Sequence, residues 1–265
     1  MINIDSAKCA GCTLCVQNCP TKNIEMRGGK AFFDPEKRCL LCYHCAATCR
    51  AGAISDDDGT AMLRSGEMRA RTGGFAEDLD SLLFTRRSYR WFAPRPLDRQ
   101  LLERLADISK WAPSAKNQHP VKLGIVAGTQ KVRDIVNTVM SYARETGFCA
   151  DVLEDYERYH YNKVTGTAST LIVGFCDSSA LNPSVDTALA LDYIDLALQA
   201  RGGGACWGGY LVRFVNEIPE LAEIFGLGPD DRAYGALMAG YPEREEYVGV
   251  PARSYDLKVK WVFDE

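Results

Sequence analysis

The sequence predicts an α+β protein in which a small cysteine-rich domain precedes a larger domain of mixed helices and strands. Eight of the eleven cysteines lie in the first fifty residues, and the chain after Glu77 alternates amphipathic helical segments with short apolar strands. A polar stretch over residues 55–74 has the composition of a linker. We therefore predict a first domain over residues 1–60, a linker over 61–75 and a second domain over 76–265.

Composition and charge restrict the expected partners. Hydrophobic residues make up 46% of the chain and charged residues 25%, as in an ordinary globular protein. The net charge of −4 gives no electrostatic reason to expect nucleic acid or an anionic membrane as a partner. The longest apolar tract, Thr187 to Ala200, contains Asp192 and Asp195 and is too short to span a bilayer. No apolar leader precedes the first cysteines, so we expect a cytoplasmic protein without a disulfide framework.

The cysteines follow one pattern twice. Both runs read C-x2-C-x2-C-x3-C and begin thirty residues apart, which indicates a duplicated unit. Three thiolates at this spacing can bind one face of a cubane cluster, while the fourth lies past the loop and faces the neighbouring cluster. We therefore expect two [4Fe–4S] clusters. The ligands would be Cys9, Cys12, Cys15 and Cys49 for one cluster, and Cys39, Cys42, Cys45 and Cys19 for the other.

The cysteine-rich domain resembles the bacterial two-cluster ferredoxins, including the step from Cys19 to Pro20. It differs in that Arg50 follows Cys49 where proline would be expected, which affects the local turn but removes no ligand. Zinc is the alternative, but zinc sites more often join two separated C-x2-C pairs. His44 lies inside the second run, where no cysteine is missing, so we interpret it as a loop residue.

Hydrophobic periodicity predicts the remaining elements. In the first domain, Ile24–Arg27 and Lys30–Phe33 flank a Gly-Gly pair and predict a hairpin. In the second domain we predict helices over 79–84, 101–108, 132–140, 151–161 and 219–225, and strands over 121–127, 171–176, 233–240 and 258–263. Residues 185–200 are apolar on nearly every side of a helix, which predicts burial all round, in a large core or against a partner chain. The glycines at 202–204 end that helix.

Four stretches of the second domain resemble the FMN-dependent nitroreductases, in the family's order and at plausible spacing. They are Arg-Arg-Ser-Tyr-Arg-Trp-Phe at 86–92, Trp-Ala-Pro-Ser-Ala-Lys-Asn-Gln at 111–118, Gly-Ala-Cys-Trp-Gly-Gly at 204–209 and Ala-Gly-Tyr-Pro at 239–242. Their joint occurrence in this order carries the resemblance. The whole chain therefore resembles a ferredoxin–nitroreductase fusion, which implies an FMN-dependent oxidoreductase.

The residues of these stretches suit the chemical groups of FMN. Arginine and serine side chains offer a compact set of donors to a phosphate dianion, although the alternative is an arginine-rich helix end in solvent. The proline-containing loop over 113–118 suits the ribityl chain or the ring edge of FMN. The alternative is that it only terminates a helix. The glycines let backbone approach a ligand, or form a flexible turn. The candidate FMN-binding residues are Arg86, Arg87, Ser88, Arg90, Pro113, Ser114, Asn117, Gly208, Gly209 and, on the resemblance alone, Arg253.

The resemblance further implies a homodimer with each FMN at the interface, where the loop over 113–118 comes from the chain opposite the Arg86 cluster. No catalytic acid or base stands out, since the flavin is the reactive group. We interpret Cys149, Cys176 and Cys206 as packing residues.

The expected electron flow runs from a low-potential donor such as ferredoxin through the clusters to FMN, and on to a small organic acceptor such as a nitroaromatic or a quinone. One alternative is a redox-sensing or electron-transfer module that is not an enzyme. Another is reduction of FMN by NAD(P)H, with the clusters passing electrons outward. Because oxygen damages cubane clusters, we expect the cytoplasm of an anaerobe.

Overall fold

The computed structural model describes residues 1–57, 74–243 and 257–263. We call residues 1–57 the head and residues 74–243 the main domain. The predicted linker over 61–75 lies almost wholly outside the described residues, and so does the candidate phosphate ligand Arg253.

The head consists of two short strand pairs around a small core of apolar and cysteine side chains. Its elements are β1 (Ile2–Ile4), α1 (Leu14–Asn18), β2 (Ile24–Arg27), β3 (Lys30–Phe33), α2 (His44–Ala47) and β4 (Ile54–Asp56). Strand β1 pairs antiparallel with β4, and β2 with β3. The predicted hairpin is confirmed, because Gly28 and Gly29 adopt the positive φ angles, 55° and 78°, that its two-residue turn requires. So small a core leaves much of the folding free energy of the head to a bound group.

The main domain is an α+β unit with a four-stranded sheet, which confirms the predicted fold class. Its elements are α3 (Phe75–Thr85), α4 (Arg99–Ser109), β5 (Lys122–Ala127), α5 (Thr129–Thr146), α6 (Ala150–Tyr159), β6 (Thr170–Asp177), α7 (Pro183–Gln199), β7 (Gly204–Trp207), α8 (Gly209–Glu217), α9 (Pro219–Phe225) and β8 (Asp231–Gly240). The strand order is β5-β6-β8-β7, and every neighbouring pair is antiparallel.

Helices cover both faces of this sheet. Leu171 and Val173 on β6 belong to the core shared with α5 and α8, whereas Ile172 belongs to the core under α4 and α7. Successive side chains of a strand point to opposite faces, so an uninterrupted apolar run fits a strand covered on both sides. All three side chains are fully buried, and each stabilises the fold by roughly 1.5–3 kcal/mol.

Helix α7 departs from the predicted burial on every side. It packs on β6, β7 and β8, and Leu191 and Ile194 are fully buried there. However, Val185 and Tyr193 are 56% and 37% exposed. Apolar residues three or four positions apart form one open face of this helix. We call this face the α7 stripe: Val185, Leu189, Tyr193 and Leu196.

The structure corrects the prediction in two other places. The strand predicted over 258–263 is wrong, because residues 257–263 form neither helix nor strand and their apolar side chains are exposed. A strand needs a hydrogen-bonded neighbour, which periodicity alone cannot supply. Conversely, residues 204–207 of the glycine-rich segment form β7, because they pair with the end of β8. In the part of the chain that the structure describes, no helix combines the length and apolarity needed to cross a bilayer.

Candidate redox site

The two cysteine runs of the head fold as copies of one unit. Positions thirty residues apart share left-handed backbone: Gly11 and Leu41 have φ angles of 70° and 49°, and Thr13 and Tyr43 have 66° and 56°. In each copy a short helix, α1 or α2, begins directly afterwards. Left-handed backbone costs of order 1–3 kcal/mol at a residue other than glycine, so it persists only where the surrounding structure enforces it. The equivalence supports the predicted duplication.

The first three cysteines of each run line a cavity together with the last cysteine of the other run. The first cavity is lined by Cys9, Cys12, Cys15 and Cys49. The second cavity is lined by Cys39, Cys42, Cys45 and Cys19. The fold therefore brings together the two groups of four cysteines that the spacing predicts.

Backbone amides donate hydrogen bonds to the sulfur atom of the fourth cysteine in each run, which lines the cavity of the other run. The amide of Asn23 donates a hydrogen bond to Sγ of Cys19 at 3.2 Å, and that of Ala53 to Sγ of Cys49 at 3.3 Å. Burial raises the pKa of the Cys19 thiol, but hydrogen bonds from Thr21 and Asn23 outweigh it and hold the pKa below its usual value. These bonds favour the thiolate, which is the form that binds a metal.

The thiol of Cys45 has the opposite balance. Burial raises its pKa to about 11, and the neighbouring thiols of Cys42 and Cys39 add to the effect. A thiol in such a place ionises when a bound cation compensates for its lost hydration.

The sulfur atoms are arranged around each cavity. Within residues 1–57, 74–243 and 257–263, no group of three or more cysteine, histidine or carboxylate side chains is placed to hold a single metal ion. Four thiolates around a cavity suit a cubane cluster, whose own irons and sulfides occupy the centre. His44 lines the second cavity and is exposed at the start of α2.

Three of the four family-like stretches meet at one edge of the main-domain sheet. The arginine-rich stretch, residues 86–92, runs beside the edge strand β7, where the amide of Tyr89 donates to the carbonyl of Ala205 at 3.0 Å. Just beyond it, the amide of Ala93 donates to the carbonyl of Tyr241 at 2.8 Å. The arginine-rich, glycine-rich and Tyr-Pro stretches are thus neighbours despite their separation along the chain.

Arg86 and Arg87 are anchored at the C-terminal end of α7. Nη1 of Arg86 lies 3.4 Å from Oδ2 of Asp195, which is 2% exposed. The side chain of Gln199 accepts from the amide of Arg87 at 3.1 Å and donates to Oδ1 of Asp195 at 2.6 Å. Burial raises the pKa of Asp195, although Gln199 and Arg86 oppose the shift. Nη2 of Arg87 is buried and has no hydrogen-bond partner among the described residues, so it is a donor that these residues leave unsatisfied.

A cleft of about 550 Å³ opens beside the glycine turn that follows β7. Arg90, Trp207 and Gly209 line it, and Gly208 precedes Gly209 at the start of α8. A Cβ atom added at Gly209 would meet nothing within 4 Å, so this backbone faces open space. The cleft volume, the glycine backbone and the guanidinium of Arg90 in the lining suit a flat ligand that carries a phosphate.

The cleft also contains two cations that sequence reasoning missed. Lys163 and Arg213 line it with Arg90. Lys163 lies 2.8 Å from Asp155 and 3.1 Å from Asp151, and these carboxylates raise the pKa of its ammonium. No local pattern marks these two side chains, because they reach the cleft through tertiary folding from separate segments.

The loop over 113–118 lies at the other end of α7. The amide of Ala115 donates to Oδ1 of the buried Asp186, in the first turn of the helix, at 3.0 Å. Asp186 and Asp195 are nine residues apart, which corresponds to about 14 Å along a helix axis. Within one chain, therefore, the loop and the arginines occupy opposite ends of α7.

The loop has unusual backbone geometry. Lys116, Asn117 and His119 have φ angles of 51°, 55° and 45°. The hydroxyl of Ser114, which follows Pro113, accepts a hydrogen bond from the amide of His119 at 2.9 Å. Left-handed backbone at three residues of this type costs of order 1–3 kcal/mol each, and such strain is often found where chains contact ligands or other domains.

Asn117 joins the loop to the head. Its Nδ2 donates hydrogen bonds to the carbonyl of Leu40 at 3.1 Å and to that of Leu41 at 3.3 Å. Its Oδ1 lies 2.9 Å from Nε2 of His119. Leu40 itself lines the second cavity. The head therefore contacts the loop through the segment between Cys39 and Cys42, with the second cavity directly behind the contact.

Comparison with known protein families agrees with this geometry. The nitroreductase family model matches residues 83–241, which is more than half of the chain. The chain belongs to the nitroreductase family. The 4Fe-4S dicluster domain matches residues 1–57, the whole of the head. The predictions of a ferredoxin–nitroreductase fusion and of the FMN-dependent oxidoreductase class are thereby confirmed.

Solved structures show the fold of the nitroreductase domain. A nitroreductase from Bacteroides fragilis with bound FMN is 19% identical and has a TM-score of 0.55, over 70% of this chain and 94% of that one. An FMN-dependent nitroreductase from Clostridium difficile is also 19% identical and has a TM-score of 0.56, over 71% of this chain and 100% of that one. An FMN- and NADPH-dependent nitroreductase variant from a sphigopyxis strain is 22% identical with a TM-score of 0.52, over 69% and 97%.

Among curated proteins, the chain is similar to a 4-nitrobenzoate reductase of Pseudomonas putida. The match is 34% identical over 55 residues, which are 21% of this chain. The aligned part spans about a quarter of the length of that relative, 24%.

Proposed function

We propose that the protein is an iron–sulfur flavoenzyme whose head binds two [4Fe–4S] clusters and whose nitroreductase domain binds FMN. When bound, the clusters supply one-electron transfer, and the flavin supplies two-electron reduction of an organic acceptor such as a nitroaromatic or a quinone. The electron donor is a low-potential protein of the ferredoxin type.

The contact between Asn117 and Leu40 is the observation that carries this proposal. It fixes the segment between two cluster ligands, Cys39 and Cys42, against a loop that is a candidate for flavin binding. If the head were a passive appendage, its cysteine loops would have no reason to dock at this place. The contact supports electron exchange between the second cavity and the flavin.

The same contact gives the two cavities different roles. The second cavity faces the nitroreductase domain through Leu40. The first cavity includes Cys12, which is exposed. We infer that the first cavity is the side that meets the electron donor.

The nitroreductase domain offers FMN three kinds of contact. The unpaired Nη2 of Arg87 suits the phosphate, and the exposed guanidinium of Arg90 lies at the cleft. The backbone at Gly209 leaves room for a flat ring. Trp207 contributes an aromatic residue to the lining of the cleft. We propose that Pro113, Ser114 and the backbone of Asn117, whose side chain is engaged within its own chain, contact the flavin from a second subunit.

We propose a homodimer formed through the α7 stripe. Val185 and Tyr193 leave an apolar face of α7 uncovered, and α3 adds Leu83 and Phe84, which are also exposed. Exposed apolar patches of this kind are characteristic of association surfaces. A symmetric dimer would use the same patch on both chains.

An NAD(P)H-driven enzyme with reversed electron flow is the second candidate. The observation that favours it is the guanidinium of Arg213 in the lining of the cleft, which could bind a phosphate of a nicotinamide cofactor. A purely electron-transferring module is a third candidate, which a closed and narrow site over the bound flavin would favour.

Anaerobic stopped-flow spectroscopy tests the direction of flow. The protein, reconstituted with iron, sulfide and FMN, is mixed with a reduced two-cluster ferredoxin or with NADH or NADPH, and flavin bleaching is followed. We expect ferredoxin to bleach the flavin rapidly. Rapid bleaching by NADH or NADPH together with none by ferredoxin would establish the reversed direction instead.

A further inference from the structure

We propose that the head of each subunit delivers electrons to the flavin held by the arginines of its partner. This inference rests on the proposed function and adds the path that the electrons take between the two subunits. Two reduced ferredoxins each lose one electron, and the flavin gains both electrons and takes its protons from solvent.

The first step is that the head docks on its own chain. Asn117 and Leu40 belong to the same polypeptide, and their hydrogen bond of 3.1 Å is one of two from the same amide. The loop that carries Asn117 is in turn fixed to the N-terminal end of its own α7 by Asp186. The second cavity of a subunit therefore lies at the N-terminal end of that subunit's α7.

The second step is that the arginines of the same chain lie at the far end of that helix. Arg86 contacts Asp195, and the amide of Arg87 contacts Gln199, the last residue of α7. Gln199 lies thirteen residues after Asp186, which is roughly 20 Å along the axis. The head and the arginine side of the flavin site are thus separated by most of the length of α7.

The third step concerns the symmetry of the proposed dimer. We place its twofold axis in the interface, perpendicular to the axis of α7, which pairs the two helices antiparallel, so the N-terminal end of one lies beside the C-terminal end of the other. This pairing brings the loop of one subunit, with the head that it holds, to Arg86 and Arg87 of its partner. A parallel pairing would leave both loops at one end of the dimer and all the arginines at the other.

Two heterodimers distinguish transfer between subunits from transfer within one. Cys42→Ser disables the second cluster of a chain, and Gly209→Leu adds a side chain at a residue that lines the cleft, where a Cβ atom meets nothing within 4 Å among the described residues. In the split heterodimer, one chain carries Cys42→Ser and the other carries Gly209→Leu. In the matched heterodimer, one chain carries both substitutions and the other none. Differently tagged chains, purified on both tags, give defined species.

Both heterodimers contain one intact head and one intact cleft, and they differ only in how these are distributed. Iron and flavin are quantified first, and each species is then mixed anaerobically with reduced ferredoxin without acceptor. We expect the flavin of the split heterodimer to bleach as in the wild-type dimer and that of the matched heterodimer to stay oxidised. The reverse pattern, equal bleaching of both, or bleaching of neither while the wild type bleaches, would each overturn the inference.

The wild-type dimer separates this inference from the proposed function. If reduced ferredoxin leaves wild-type flavin oxidised, the relay itself is wrong. If it bleaches the wild type but the heterodimers give a pattern other than the expected one, the relay stands and the route between subunits is wrong.

Discussion

The side chain of Asn117 donates a hydrogen bond to the carbonyl of Leu40 across 77 residues of sequence. It joins the candidate flavin loop of the nitroreductase domain to the second cysteine run of the head. This contact holds the head against the nitroreductase domain, and in the proposed relay Asn117 is the positioning residue.

Replacing Asn117 by Asp tests this role. Aspartate keeps the shape of the side chain but removes both donors and turns a carboxylate towards the carbonyls of Leu40 and Leu41. We expect the docked state to lose about 1–3 kcal/mol, which slows ferredoxin-driven bleaching per bound flavin by up to about 150-fold and at least about fivefold. Stopped-flow rates, with dithionite as a reductant that does not need docking, measure the effect. The control is Asn137→Asp, at an exposed position on α5; equal rates for both variants would contradict the role of Asn117.

The fourth cysteine of each run lines the cavity of the other run, which gives a second prediction. Cys19 belongs to the first run but lines the second cavity, and Cys49 shows the converse. We expect Cys19→Ser to match Cys42→Ser in its electron paramagnetic resonance spectrum, and Cys49→Ser to match Cys12→Ser, each with about four irons fewer than the wild type. If Cys19→Ser instead resembles Cys12→Ser, each run binds its own cluster. Two equivalents of zinc in place of iron would contradict both assignments.

Local sequence patterns predicted many of the helices and strands, but little of how the two domains are arranged. The hairpin at Ile24–Arg27 and Lys30–Phe33 was predictable because its turn chemistry lies within the hairpin itself. Helix α9, Pro219–Phe225, was predictable because proline begins it and Gly226, with a φ of 79°, ends it. The strand proposed at 258–263 failed because alternation does not supply a pairing partner.

The functional contacts that were missed are all long-range. Nothing near Asn117 indicates that its amide reaches Leu40, and nothing near Asp186 indicates that it anchors the loop. The buried Asp186 and Asp195 interrupt the apolar helix α7. Their role is clear only from their contacts in the folded chain, in which Asp186 accepts from the amide of Ala115 and Asp195 pairs with Arg86. By contrast, the spacing of the cysteines already indicates which of them line each cavity together, and their role as cluster ligands stays a prediction.

The proposed dimer surface gives a third prediction. Val185→Glu places a carboxylate in the exposed α7 stripe, near a helix N-terminus that tolerates negative charge in the monomer. We expect the variant to be a folded monomer that loses FMN, as measured by light scattering and flavin absorbance. Ile224→Glu, at a 46% exposed residue of α9, is the matched control and should remain dimeric. A dimeric Val185→Glu variant that retains flavin would exclude this surface.

The buried Asp195 gives a prediction about pH. Burial raises its pKa above the ordinary value of 3.8, so between that value and the raised pKa the folded state binds more protons than the unfolded state. The free energy of unfolding therefore falls as pH rises through this window. Asp195→Asn cannot ionise, so its stability relative to the wild type should increase with pH there and then level off. Anaerobic urea unfolding across the window measures this, with the exposed Asp192→Asn as control; a pH-independent difference for Asp195→Asn would contradict it.

The most direct test of the relay is ferredoxin-driven flavin reduction in the Cys12→Ser variant. Cys12 is exposed at the first cavity, far along the chain from every candidate flavin residue. We predict that the variant loses its first cluster and that reduced ferredoxin bleaches its flavin much more slowly than that of the wild type, while dithionite bleaches both alike. If ferredoxin bleaches the variant as fast as the wild type, electrons do not pass through the head.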